Sequence, residues 1–213
     1  MTTRIEIYYD FRSPYAFFAS HRIRRGDFAR SDVGWIWQPV SIDVLLNLQA
    51  GREPYAPYVD PLSGPKRAHL VADVRRLASY YGVPLRPTKP QRPNPIPALQ
   101  LAAMLEEGER ARFSDAVFDA LWQERADISE ADVLARCLTK SGARDDVLDR
   151  AFEGSARTDV AERTAKAYAR GVFGVPTFAW GNELFFGNDR LDLLLWSVER
   201  RITRQARVDT SGD

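Results

Sequence analysis

Residues 4–14 read RIEIYYDFRSP, and the architecture is decided there. Arg4 to Tyr9 alternates β-branched and aromatic residues with charged ones, the composition of a strand. Asp10-Phe11-Arg12 makes a short turn. Ser13-Pro14 then opens a helix, because serine is a preferred N-cap and proline is favoured at the first helical position. That helix carries Tyr15, Phe18 and Ile23 and should stop near Gly26. Val33 to Val40 reads as a second strand, so the first forty residues form a parallel βαβ unit.

The middle of the chain is different in kind. From Ile42 to about Arg170 the signals are helical. Leu70, Val74, Leu77 and Tyr81 keep a helical period, closed by Gly82 with Pro84 beyond. Residues 85–97, LRPTKPQRPNPIP, form a proline-rich connector that excludes a regular helix or a central strand. Helices are expected from Ala98 to Glu107 and from Arg110 to Arg125, split by Gly108. Ser129 and Asp132 suggest a capping box for a helix reaching Lys140. Asp145–Phe152 and Arg157–Arg170 are two more expected helices, while the loops around Asn47–Pro65 and Leu85–Pro97 cannot be placed. Strands return at Thr177–Trp180 and Glu183–Phe186, on either side of the hairpin turn Gly181-Asn182. A last helix carries Leu191, Leu194, Leu195, Val198 and Ile202 on one face.

Composition narrows the function classes. The 213 residues hold 30 Lys and Arg against 29 Asp and Glu, a balance that argues against a nucleic-acid binder. The C-terminal RRITRQAR run reads as a charged helix tail. One cysteine, Cys137, excludes an internal disulfide and a dithiol redox site, and it is expected as a small buried residue. Two histidines and one cysteine do not supply a common zinc site, so no metal is expected. The N-terminal residues show no secretory signal, and no apolar run approaches the ~18 residues of a membrane span, so a cytoplasmic, soluble protein is expected.

A βαβ half, a ββα half and a proline just before the third strand make the thioredoxin layout. The expected fold is therefore α/β: a discontinuous thioredoxin-like domain (1–40 and 171–213) with a large all-helical insertion (41–170). In such a fold Ser13 stands where a nucleophilic cysteine would lie. Its hydroxyl cannot form a disulfide, but it can donate a hydrogen bond to a thiolate that a cofactor brings. A free thiol with a pKa near ~8.5 is only about 3% thiolate at pH 7, and lowering that pKa by ~2 units needs roughly 2.7 kcal/mol. One hydrogen bond to a charged group supplies about 1.5–3 kcal/mol. The helix N-terminus adds about 0.3–1 kcal/mol, so the two together suffice. By residue type alone Ser13 is simply an N-cap. The roles are compatible, since a hydroxyl accepts a backbone bond while donating its own proton elsewhere.

Three further stretches carry a family likeness. DFRSPYAFFAS (10–20), GVFGVPTF (171–178) and FFGNDRL (185–191) resemble the 2-hydroxychromene-2-carboxylate isomerases. PKRAHLVADVRRLASYYGVPL (65–85) extends the likeness into the insertion, so that it covers the whole chain. Those enzymes sit with the kappa-class glutathione transferases in the DsbA-like, thioredoxin-like superfamily. The resemblance implies glutathione as cofactor, a small aromatic or chromene carboxylate as substrate, and a homodimer. It implies Ser13 as the catalytic, thiolate-holding residue and a cis Val175-Pro176 bond facing it, with the Val175 backbone open to pair an extended tripeptide. It implies Asn188 and Asp189 at the γ-glutamyl end, where one of them could equally be a helix cap, and Lys66 beside the site, where a surface lysine is as good a reading. Arg190 is as easily a solvated charge. Arg52 and His69 depart from the pattern, where relatives often have asparagine and tyrosine. His21 is expected to be structural, and Trp35, Trp37, Trp122, Trp180 and Trp196 mostly core. A kappa-like transferase and a non-catalytic glutathione-binding module remain the alternative functions.

Overall fold

The structure, a computed structural model, is described over residues 2–28, 32–60 and 62–210, with side chains as far as Arg201. Strand β1 (Thr3–Tyr9), helix α1 (Pro14–Arg24) and strand β2 (Val33–Pro39) form the expected opening unit, and β1 and β2 pair in parallel from Thr3↔Val33 to Tyr9↔Pro39. Strands β3 (Thr177–Trp180) and β4 (Glu183–Phe186) close the sheet in the order β2-β1-β3-β4, with β3 antiparallel to both neighbours. Between the halves lie α2 (Ile42–Gln49), α3 (Gly64–Tyr81), α4 (Ile96–Met104), α5 (Glu107–Trp122), α6 (Ala131–Ser141) and α7 (Ala156–Ala169), and α8 (Leu191–Thr210) ends the described chain.

One continuous core joins the sheet to the inserted helices. Ile5, Ile7 and Phe11 pack with Leu99, Phe113 and Phe118, all with at most 1% of their surface exposed. Tyr9 is the hinge of this contact. Its ring meets Phe11, Trp37 and Phe118 at centroid distances of 5.3, 5.3 and 5.8 Å, and its hydroxyl bonds Ser114 on α5 at 2.6 Å. Aromatic pairs at such distances each add about 0.5–1.5 kcal/mol beyond the area they bury.

The insertion differs from its sequence reading in five places. Helix α4 starts at Ile96, inside the proline-rich stretch, because Pro97 falls in its first turn, where a missing N–H is tolerated. The break between α4 and α5 falls at Leu105, extended at ψ 151°, while Gly108 lies inside the first turn of α5. The capping box belongs to Glu106 and Glu109 at the start of α5. Ser129 instead turns its hydroxyl to Asp127 at 2.6 Å, and α6 starts at Ala131 with no side-chain cap. The expected helix over Asp145–Phe152 is only a 3-10 turn at Asp149–Phe152. Trp196 is half exposed on the outer face of α8, away from the core. The side chains of Ile202 and of the rest of the RRITRQAR run beyond it lie outside the described residues. Among the described residues no helix is long and apolar enough to cross a membrane.

Candidate active site

The turn between β1 and α1 is built around a buried acid. Asp10 is fully buried and accepts hydrogen bonds from the Arg12 backbone N–H at 2.8 Å, from the Arg12 guanidinium at 3.1 Å and from the Ile42 N–H at 2.8 Å. The last of these ties the start of α2 to the start of α1. Arg12 reaches on to Asp43 at 2.9 Å. Burial works against its charge, but Asp10 and Asp43 outweigh that and hold the guanidinium pKa above its ordinary value.

Ser13 is the N-cap of α1. Its backbone is extended (φ −86°, ψ 113°) and its Oγ accepts the Ala16 N–H at 3.2 Å. The same hydroxyl donates toward the Val175 carbonyl at 3.4 Å, the long end of a hydrogen bond. Ser13 and Val175 are both buried, with 4% and 6% of their surface exposed. The Val175-Pro176 bond is cis. Fold and sequence thus bring Ser13 and Val175 together from positions 162 residues apart.

The hairpin leads to the second helix start. Gly187 donates to the Pro176 carbonyl at 2.9 Å and has φ +112°, a region that side chains rarely enter. A Cβ at this glycine would stand 2.5 Å from the Asp189 carboxylate, which folds back over it. Asn188, Asp189 and Arg190 form a 3-10 turn whose N-cap is Gly187, so neither expected residue caps it by a side chain. Asn188 is buried and spends its amide on the Tyr81 hydroxyl at 2.9 Å. Asp189 is exposed and lies 3.6 Å from Arg190.

Behind this turn stands Arg22, which sequence reasoning did not single out. It is buried between the rings of Phe28 and Tyr81, at 4.5 and 4.9 Å from their centroids. Its Nη1 donates to the Asn188 carbonyl at 3.0 Å, and its Nη2 to Asp192 at 3.4 Å. The signal was present as an arginine on the apolar run of α1, but its partners come from α3 and α8.

Other expected residues are placed elsewhere. Lys66 and His69 are exposed on the first turns of α3, and neither Lys66 nor Ser13, Val175, Pro176, Asn188 or Asp189 lines the two cavities described next. Arg52 donates to the Pro57 carbonyl at 3.1 Å, closing its own loop. His21 is partly buried and packs on Phe17, and burial lowers its pKa. Cys137 is buried in α6, and burial pushes its thiol up to about 11, so this chain carries no reactive sulfur of its own there. Among the described residues no group of His, Cys, Asp or Glu is arranged to hold a metal ion.

Two open cavities lie against α2. The first, about 230 Å³, is lined by Arg12, Asp43, Tyr58, Gln91, Arg92 and Trp122. The second, about 380 Å³, lies between Asp43, Asn47, the 54–58 loop, Asn94 and Arg157. None of these residues was named from sequence as a site residue; Tyr58, Gln91, Arg92 and Asn94 lie in the loops that could not be placed.

Residues 4–198 match the family model of the DSBA-like thioredoxin domain. A 2-hydroxychromene-2-carboxylate isomerase of Sphingobium xenophagum is 30% identical over 204 residues, spanning 91% of this chain and 97% of that one. The chain belongs to this family, in its isomerase branch. A second such isomerase, of Pseudomonas putida, is 29% identical over 94% of this chain and 96% of its own. A solved 2-hydroxychromene-2-carboxylate isomerase superposes with a TM-score of 0.77 at 24% identity, covering 96% of this chain and 98% of that one, and so shares its fold. The matched span, residues 4–198, takes in the sheet and the inserted helices alike.

Proposed function

We propose that this enzyme isomerises 2-hydroxychromene-2-carboxylate or a related aromatic breakdown product, using glutathione as a borrowed nucleophile. The observation that carries the reading is the pairing of Ser13 Oγ with the Val175 carbonyl at the N-terminus of α1, in a chain whose one thiol is buried and of raised pKa. The hydroxyl's bond to Val175 is long, so the proton can turn to an arriving thiolate at little cost. The backbone of Val175 supports a short added strand for the tripeptide, and Pro176 fixes the loop that presents it. The backbone N–H groups of Asn188 and Asp189 would receive the γ-glutamyl carboxylate, with Asp189 facing its ammonium. Asn188 contributes through its backbone, since its side chain is used inside the fold.

In this reading the glutathione sulfur adds to an unsaturated carbon of the chromene, and the ring opens. Rotation follows about the former double bond, and expulsion of the sulfur releases the isomer and restores glutathione, so no atom is gained or lost. The first cavity, walled by Arg12, Arg92 and Trp122, suits a planar anionic substrate. A cytoplasmic homodimer is the accompanying expectation.

The test is the isomerisation of 2-hydroxychromene-2-carboxylate with and without glutathione. The rate should depend on glutathione, and free glutathione should be recovered unchanged. A stable thioether product would instead make the enzyme a transferase.

A further inference from the structure

The two cavities share a wall. Asp43 and Tyr58 line both, and the Arg92 guanidinium lies over the Tyr58 ring at 3.2 Å from its centroid. Arg92 is held there by an ion pair with Asp43 Oδ1. The other oxygen of Asp43 is held by Arg12 at 2.9 Å, and Arg12 is held in turn by buried Asp10. The groups thus form a row of alternating charge, Asp10, Arg12, Asp43 and Arg92, anchored at the buried end and loose at the other. The Arg12 side chain is 10% exposed and the Arg92 side chain 43%. If Arg92 swings away, Asp43 keeps Arg12, so opening strands no charge. A half-exposed ion pair and a cation–π contact are both weak ties.

We propose that the Arg92–Tyr58 stack is a gate that sets the size of ring system the site accepts. With the gate shut, a bicyclic aromatic carboxylate fills the first cavity. A tricyclic one needs the gate open, and its distal ring enters the second cavity among Pro54, Tyr55 and Pro95. Opening carries the Arg92 guanidinium into solvent, which its half-exposed position permits. This inference rests on the proposed function for its choice of aromatic carboxylates, but its test needs neither glutathione nor turnover.

Binding of 2-naphthoate and of phenanthrene-2-carboxylate is measured by titration calorimetry on the full chain and on Tyr58→Ala, Tyr58→Phe and Arg92→Gln, each checked by thermal melting. Wild type should bind the naphthoate at least tenfold more tightly than the phenanthrene acid. Tyr58→Ala and Arg92→Gln should each shrink that ratio by tenfold or more, while Tyr58→Phe, which keeps a ring under Arg92, should leave it within threefold. An unchanged ratio in folded Tyr58→Ala or Arg92→Gln overturns the gate, as does a wild type that favours the larger acid. A wild type that binds neither acid at millimolar concentration overturns it too. A shifted ratio in a protein without isomerase activity sustains the gate and removes only the catalytic reading.

Discussion

The two ends of α1 reach the same proposed ligand path, and they are tied down very differently. At the first turn Ser13 holds the neighbouring loop by one hydrogen bond of 3.4 Å. At the last turn Arg22 is clamped between two rings and bonded to the Asn188 carbonyl and to Asp192. The difference separates two jobs. In the proposed mechanism, the group that turns toward a visiting sulfur is the one left with a weak prior commitment. A group that only fixes where the second helix start stands is locked.

Replacing Ser13 with Ala should have the largest effect and break the loose end. Loss of one hydrogen bond to a thiolate, about 1.5–3 kcal/mol, lowers the glutathione-dependent rate about 10- to 100-fold. Loss of the cap costs about 1 kcal/mol of stability, visible in a urea titration. A variant as fast as wild type would remove Ser13 from the chemistry. Arg22→Met should strike the locked end instead. It leaves the Asn188 carbonyl without its cation and costs about 2–3 kcal/mol of stability. KM for glutathione should rise while kcat holds, and a fall in kcat alone would erase the division of labour.

Asp189→Asn sharpens the same point at the exposed side of that turn. It keeps the shape and removes the charge, so KM for glutathione should rise about threefold to tenfold with stability unchanged, in keeping with a surface pair of about 1 kcal/mol. The middle of α1 gives the smallest effect on turnover and a pH signature. Burial pushes the Asp115 carboxyl up to about 6, although the Ser20 hydroxyl donates to it from α1 and opposes the shift. A raised folded pKa means stability is fully present below the unfolded value, near ~3.9, and is lost as pH rises through about 6. Asp115→Asn should therefore match wild type at pH 3.5 and exceed it by about 1–3 kcal/mol at pH 7.5 in urea unfolding.

The sheet and α1 were legible because each rests on local chemistry. Strand alternation, the Ser-Pro start and the Gly181-Asn182 turn are written within a few residues of one another. Ser13, Val175 and Asp189 were singled out by motif, and the fold brings the first two into contact. The insertion was harder. Gly108 was read as a helix breaker, yet the break at Leu105 is set by the Glu106–Glu109 box, which local propensity does not rank above a glycine. Arg22, Asp43 and Arg92 were not singled out because a charge has no meaning as a site residue until its partners, up to 170 residues away, are known, and Tyr58 because its loop could not be placed. Asn188 carried a motif, but its amide is occupied by Tyr81, a contact that only tertiary structure reveals.

The burial of Cys137 has a consequence for working life. Oxidants and alkylating reagents attack exposed thiolates, and this sulfur offers neither exposure nor charge. The protein should then be as durable in an oxidised extract as in a reduced one, and iodoacetamide should leave the folded chain unmarked. On the proposed mechanism, sensitivity to the redox state of its surroundings would come through the supply of reduced tripeptide.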